Sequence, residues 1–264
     1  MEKRKFNLPE ILEGAGLKPG KKKYLLLTHR GFGKRGVIPE NTMEAFNASY
    51  KRGFTGHELD VRITKDGTVV IFHGPGLETT TEGRGLVENK TYAEIMQYNC
   101  GNYLEIKNKN KFIIPTLDEY LKRYGKKIFT NIEIKREWNN VKPGLEKSVI
   151  DLVKKYNCEK NVLISSFNLL SIFYIRKNFP WIRAGALIDR DRLAALWIPL
   201  CIKLLKPDSI HIHSKMNRNM KKCIAYIKKN DCGVVLWGVN EKADLSMFLE
   251  YGADIMITDN MSLI

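Results

Sequence analysis

Two histidines, three carboxylates and two cations recur along the first half of the chain: His29 and Arg30, Glu58 and Asp60, His73, then Glu133 and Lys135. Most sit at or near the end of a short apolar run of the kind that forms a strand. Glu58 and Asp60 are two apart, so on a strand they share one face while Leu59 and Val61 take the other. Carboxylates facing a closed interior need a cation to offset their desolvation. Glu133, within Ile132-Glu133-Ile134, repeats the pattern. Three hard oxygen donors suit Mg²⁺ or Ca²⁺ better than zinc; the plainer alternative pairs these acids with Arg30, Lys135 or Arg62. His29 follows the run Tyr24–Leu27, and His73 follows Val69–Phe72. Histidine takes and gives a proton near neutral pH, which phosphodiester cleavage asks of a base and an acid, here in either order. Arg30, a planar fork, and Lys135, a point charge on the same face as Glu133, suit phosphate oxygens. The set as a whole reads as metal-assisted phosphoryl chemistry. His211 and His213 alternate on a later strand; His213 and Trp237 are candidates for contact with substrate. His57 is expected to point away from Glu58 and to be structural.

Elements of matching length must position these groups. Strands are predicted over Tyr24–Thr28, Glu58–Ile63, Val69–Phe72, Ile128–Ile134, Val162–Ser165, Ala184–Ile188, Ser209–His213, Val234–Val239 and Ile255–Thr258. Helices are predicted over Thr42–Arg52, Thr116–Tyr124, Leu145–Tyr156, Leu169–Asn178, Met220–Lys229 and Lys242–Tyr251, the first with Asn41 as its cap. Strand–helix alternation over some eight units, with no linker, predicts an α/β fold: a closed TIM (β/α)8 barrel. One unit is irregular. Only Thr64-Lys65-Asp66-Gly67 and a few neighbours separate the second and third strands, so a turn without a helix is expected there. The third strand is antiparallel or parallel on this reading, and either geometry brings His73 toward Asp60. Residues 1–22 form an N-terminal segment whose Phe6, Leu8, Ile11 and Leu12 make a short amphipathic helix closing the barrel bottom; residues 23–264 form the barrel.

The 264 residues suffice for one large domain, and 44% of them are apolar. Five cysteines without metal-type spacing read as reduced thiols. No secretory signal or membrane-spanning segment is read, and a cytoplasmic location is expected. The net charge of +15 is read as lysines spread over solvated faces, with attraction to an anionic membrane or nucleic acid as the sharper alternative. No nucleic-acid-binding signature is present, and no nucleic acid partner is expected. The run Leu193–Leu205 is too short to span a bilayer. It reads as a barrel helix containing Pro199, or as an apolar lip making peripheral membrane contact with Trp197 at the interface.

The motifs together resemble the glycerophosphodiester phosphodiesterase family. The resemblance rests on His29-Arg30-Gly31, Pro39-Glu40-Asn41-Thr42, Glu58-Leu59-Asp60-Val61, Thr64-Lys65-Asp66-Gly67 and His73. It continues through Ile114-Pro115-Thr116-Leu117-Asp118-Glu119, Glu133-Ile134-Lys135, Ser165-Ser166-Phe167, Trp237-Gly238-Val239-Asn240 and Thr258-Asp259. It runs from about Tyr24 to the C-terminus, and it is the order of the set that makes it specific. It implies a TIM barrel that hydrolyses small-molecule glycerophosphodiesters to an alcohol and glycerol 3-phosphate. It implies one divalent cation, Mg²⁺ or Ca²⁺, on Glu58, Asp60 and Glu133, acid–base work by His29 and His73, and phosphate binding by Arg30 and Lys135. The chain departs from the family pattern at Gly74, where an Asp is usual, at Thr79, where an Arg is usual, and more mildly at Gly238, where a Thr is usual. His-Gly at 73–74 is similar to the related phosphoinositide phospholipases C. Two alternatives stand beside this reading: a lysophospholipase D-type activity at a membrane surface, and a catalytically silent protein that binds anionic lipid or nucleic acid.

Overall fold

The computed structural model describes residues 5–17, 23–33, 37–101, 111–136, 144–188, 194–216 and 219–264. Among the described residues there are nine strands: β1 (Leu25–Thr28), β2 (Gly56–Ile63), β3 (Val69–Ile71), β4 (Phe129–Ile134), β5 (Val162–Ser166), β6 (Arg183–Ile188), β7 (Ser209–His213), β8 (Gly233–Trp237) and β9 (Ile255–Thr258). All but β3 are parallel, and β1 pairs with both β2 and β9, so eight strands close on themselves. The expected TIM barrel is what forms. The helices are α1 (Leu8–Gly14), α2 (Met43–Lys51), α3 (Tyr92–Ile95), α4 (Leu117–Tyr124), α5 (Leu145–Lys155), α6 (Leu169–Asn178), α7 (Ala194–Leu205), α8 (Met220–Lys229) and α9 (Lys242–Glu250).

Alternation along each strand divides the core. Leu25 and Leu27 point into the barrel, where they pack with Phe129, Leu163, Val235, Ile255 and Ile257, while Leu26 faces the helices. Ile11 and Leu12 of α1 are buried in the same interior cluster. In β2, Leu59 and Val61 join the outer core, which leaves Glu58 and Asp60 inside. Higher in the barrel the interior turns polar: Asn131 Nδ2 donates to Ser165 Oγ at 3.1 Å, and His211 Nε2 lies 3.0 Å from Ser209 Oγ. Among the described residues the five cysteines form no disulfide.

The irregular unit is an antiparallel excursion. β1 pairs with β2 only as far as His57, so the far end of β2 has an open edge. β3 fills it, with Val61 opposite Ile71 and Ile63 opposite Val69. The turn between them is closed by Gly67 N–H on Thr64 O and by Thr68 N–H on Thr64 Oγ1, both at 3.0 Å. Beyond β3 the chain builds a small core of its own from Val70, Phe72, Leu77, Val87, Ile95, Phe112 and Ile114. The antiparallel course starts opposite the C-terminal end of β2 and runs back along it, bringing His73 toward Asp60, whose carbonyl accepts Phe72 N–H at 2.9 Å.

Candidate active site

The acids are stacked by strand register. Asp60 and Glu133 are Cα partners across β2 and β4, and Glu58 is the partner of Asn131 one step below. One ligand oxygen from each of Glu58, Asp60 and Glu133 lies within 4.8 Å of the others, and all three side chains are buried. Lys135, two residues past Glu133, extends back over them: its Nζ is 2.5 Å from Glu133 Oε1 and 3.2 Å from Asp60 Oδ1.

The second cation and the first histidine come from the turn after β1. Arg30 and Gly31 are both left-handed, at φ 53° and 71°. A Cβ on Gly31 would lie 2.9 Å from the backbone nitrogen of Phe46 in α2, so glycine is needed beside that arginine. The turn aims Arg30 Nε at Asp60 Oδ2 (3.0 Å) and Arg30 Nη1 at Glu40 Oε1 (2.7 Å), while the Arg30 backbone N–H donates to Glu58 Oε2 at 3.0 Å. Glu40 and Asn41, expected only as a helix entry, are therefore part of the site. Asn41 is also left-handed, and its Nδ2 donates to Asp60 Oδ2 at 2.9 Å. With its side chain used there, Asn41 does not cap α2. Thr42 does, its Oγ1 accepting from Ala45 N–H.

His29 has a partner that its position in sequence does not reveal. β9 lies beside β1, which brings Asp259, just beyond β9, against the imidazole: His29 Nδ1 is 2.7 Å from Asp259 Oδ1. Asp259 is itself held by Asn240, whose Oδ1 accepts the Asp259 backbone N–H at 2.8 Å. With Nδ1 on a carboxylate, Nε2 of His29 is the atom turned toward the acids, 3.9 Å from Glu58 Oε2. His73 lines the same cavity, its carbonyl accepting from Arg62 Nε at 3.2 Å.

These groups meet in one cavity of about 220 Å³. His29, Arg30, Glu58, His73, Glu133 and Lys135 make its charged side. Phe167, Leu187, Trp237 and Ile257 make an apolar wall opposite. Trp237 thus lines the cavity. His213 packs edge-on against Trp237 at 4.3 Å between ring centres and accepts from Lys215 N–H through Nδ1. His57 is buried away from the site, its Nδ1 2.9 Å from the Tyr120 hydroxyl.

Burial and mutual repulsion set the charge states. Burial, then the charge of Asp60, push the Glu58 carboxyl up to about 8. The same two causes push Glu133 up to about 6 against the pull of Lys135. Asp60 is buried too, but Lys135 and Arg30 outweigh that and hold it below the usual carboxylate range. Burial lowers His73 to about 4, with Asp60 opposing. Burial also disfavours protonated His29, but the Asp259 hydrogen bond and the Glu58 charge raise it above the ordinary value. The plain ion-pair alternative thus accounts for Asp60, which has Arg30 and Lys135, but not for Glu58. Among the described residues Glu58 Oε1 is buried with no hydrogen-bond partner. A pocket with this excess of buried carboxylate oxygen fits a hard divalent cation.

One consequence is a stability slope. Glu58 has an ordinary value of 4.5 and sits near 8 in the fold, so the folded protein holds more protons than the unfolded chain between those limits. Stability of the cation-free protein is therefore lost as pH rises through that window. His57 and His211, lowered by burial to about 3, and His73, lowered to about 4, are still half protonated at 6.5 in the unfolded chain, so they oppose this slope there and drop out about one unit higher. From about pH 7.5 to about pH 9, where those histidines are neutral in both states, the cation-free protein is expected to lose about 1 kcal/mol, seen as a fall of a few degrees in Tm. Glu58→Gln should flatten the slope; a wild-type Tm that holds or rises across this range would contradict it.

The two departures from the family pattern after His73 turn out to touch. A Cβ on Gly74 would collide with Thr79 Oγ1 and fall 2.6 Å from Thr79 Cβ. Thr79 is held in place by donating Oγ1–H to Gly76 O. The glycine and the threonine are thus one adjustment: Thr79 occupies the space a side chain at 74 would need. Gly74→Asp alone is expected to cost about 1–3 kcal/mol of stability, and the further change Thr79→Ala should recover part of it. A thermal melt of G74D matching wild type would refute the coupling.

The family model for the glycerophosphoryl diester phosphodiesterase family matches residues 29–263. The chain belongs to that family. A glycerophosphodiester phosphodiesterase of Caldanaerobacter subterraneus is 35% identical over 242 residues, covering 90% of this chain and 95% of the relative. Among solved structures, an Oleispira antarctica phosphodiesterase in complex with the product sn-glycerol-3-phosphate is 25% identical with a TM-score of 0.72, covering 90% and 94% of the two chains. A glycerophosphodiester phosphodiesterase of Agrobacterium tumefaciens shares the fold at a TM-score of 0.74 and 23% identity, covering 91% and 98%. In this phosphodiesterase family member the matched region begins at His29 and extends past Asp259.

Proposed function

We propose that this chain hydrolyses glycerophosphodiesters to an alcohol and glycerol 3-phosphate, with His29 and His73 moving protons and Glu58, Asp60 and Glu133 holding a divalent cation. The observation that carries the reading is the Glu58 oxygen with no hydrogen-bond partner among the described residues, buried beside the carboxylates of Asp60 and Glu133 at the cavity that His29 and His73 line. A bound Mg²⁺ or Ca²⁺ would supply neutralisation of the phosphodiester charge.

The remaining work falls to side chains. Arg30 and Lys135 are already held over Asp60, so they meet the phosphate oxygens with little reorganisation. Asp259 fixes the His29 ring and leaves Nε2 for proton transfer. One histidine takes the proton of the nucleophile and the other gives a proton to the departing alcohol; water as nucleophile gives glycerol 3-phosphate directly, whereas the neighbouring glycerol hydroxyl gives a cyclic phosphate that water then opens to glycerol 3-phosphate, with the two histidines exchanging roles. Phe167, Leu187, Trp237 and Ile257 give the cavity an apolar side. That apolar wall also favours a second reading, in which lysophospholipids are substrates. The products from glycerophosphocholine, incubated with the protein and Mg²⁺ or Ca²⁺, separate right from wrong: choline with glycerol 3-phosphate supports the proposal, and phosphocholine with glycerol refutes it. Faster release from lysophosphatidylcholine than from glycerophosphocholine would favour the second reading.

A further inference from the structure

The outer face of α7 is built against the rule for barrel helices. A helix on the outside of a globular fold turns a polar face to water. α7 buries Ile198, Cys201 and Ile202 on its inner side, yet its outer side carries Leu196, Trp197, Leu200 and Leu204, exposed by 70%, 42%, 43% and 58%. Leu196, Leu200 and Leu204 are four apart, so they form one stripe along the helix. Between α7 and α8 the stripe borders a groove of about 630 Å³, lined in part by Pro199, Lys203 and Tyr226. Leu193, the first residue of this apolar run, lies outside the described residues.

The charge around this face is one-sided. Residues 160–230 contain 14 of the 44 Lys and Arg of the chain but 3 of its 29 Asp and Glu. The helices α6, α7 and α8 contain no acidic residue at all. The bases are spread evenly along the chain, as expected; it is the acids that are missing here, which leaves Lys203 and Lys206 at the groove and the lysines of α8 without acidic neighbours on α6, α7 or α8. Leucines and a tryptophan with lysines beside them match a surface that is apolar below and anionic above, which is the interface of an anionic bilayer. A second copy of the chain would bring a like-charged flank against this one, and a nucleic acid would leave the leucines without a partner.

We propose that the α7 face docks on anionic lipid bilayers as a peripheral membrane contact. α7 is 12 residues long, and no helix among the described residues is long and apolar enough to cross a membrane, so the contact is one of lying on the surface. Leu196 and Trp197 lie in the first turn of α7, which follows β6 and so belongs to the end of the barrel where the catalytic cavity opens. The proposal does not depend on which substrate the cavity takes.

Sedimentation with lipid vesicles tests it. The full chain should sediment with vesicles of phosphatidylcholine containing about a third phosphatidylglycerol, and far less with phosphatidylcholine alone. The double variant L196E/L200E should bind the anionic vesicles at least about tenfold more weakly, with hydrolysis of water-soluble glycerophosphocholine unchanged. Lys203→Glu, which leaves the leucines alone, should also weaken binding, and it decides the matter if the double variant fails to fold. Wild type staying in the supernatant, or binding unaffected by these changes, would overturn the proposal. So would a dimer that L196E/L200E dissociates, or binding of single-stranded nucleic acid in place of vesicles.

Discussion

Alanine at His29 or at His73 is expected to lower turnover of a glycerophosphodiester by roughly 100-fold or more, with a smaller change in KM. The expectation follows from placement. His29 Nδ1 is taken by Asp259, so Nε2 is its working atom, and it faces the carboxylate cluster from the turn after β1. His73 reaches the same cavity from the residues just after β3. Neither loss should unfold the barrel, since both rings lie at the cavity and outside the apolar cores. The two variants should differ in one respect. The variant lacking the acid should recover most of its rate on a nitrophenyl diester, whose leaving group needs no proton; the variant lacking the base should not. Near-normal turnover of glycerophosphocholine by both variants would remove the histidines from the mechanism.

Glu58→Gln is expected to weaken binding of Mg²⁺ or Ca²⁺ by tenfold or more and to lower turnover by about 100-fold or more. Asp60 has Arg30, Lys135 and Asn41 as partners without any cation. Glu58 lacks such support: one oxygen accepts from the Arg30 backbone and the other has no hydrogen-bond partner among the described residues. The amide keeps the shape and removes the charge, so the loss reports on the charge. Calorimetric titration with each cation is the check. Affinity equal to wild type would place the ion elsewhere or show that none binds here.

Much of this was legible because period-two patterning is a direct readout of strand faces. Glu58, Leu59, Asp60 and Val61 alternate between site and core as their spacing requires. Each predicted strand forms, with ends shifted by a residue or two at most positions, because β-branched runs bounded by turn residues leave little choice. What was not legible depends on chain segments meeting. Asp259 lies 230 residues from His29 and reaches it only because closure sets β9 beside β1. Thr42 caps α2 in place of Asn41 because a tertiary partner, Asp60, claims the Asn41 side chain. The antiparallel course of β3 follows from an edge that β1 leaves open, and no local signal reports that. The contact between Gly74 and Thr79 is likewise a matter of space, invisible as two separate departures in a sequence.

The most direct test of the central claim is release of glycerol 3-phosphate from glycerophosphocholine by protein stripped of divalent cations, before and after Mg²⁺ or Ca²⁺ is restored. A cation held by Glu58, Asp60 and Glu133 predicts that turnover falls to background on chelation and returns with one of the two ions. Undiminished turnover in the presence of chelator would contradict it.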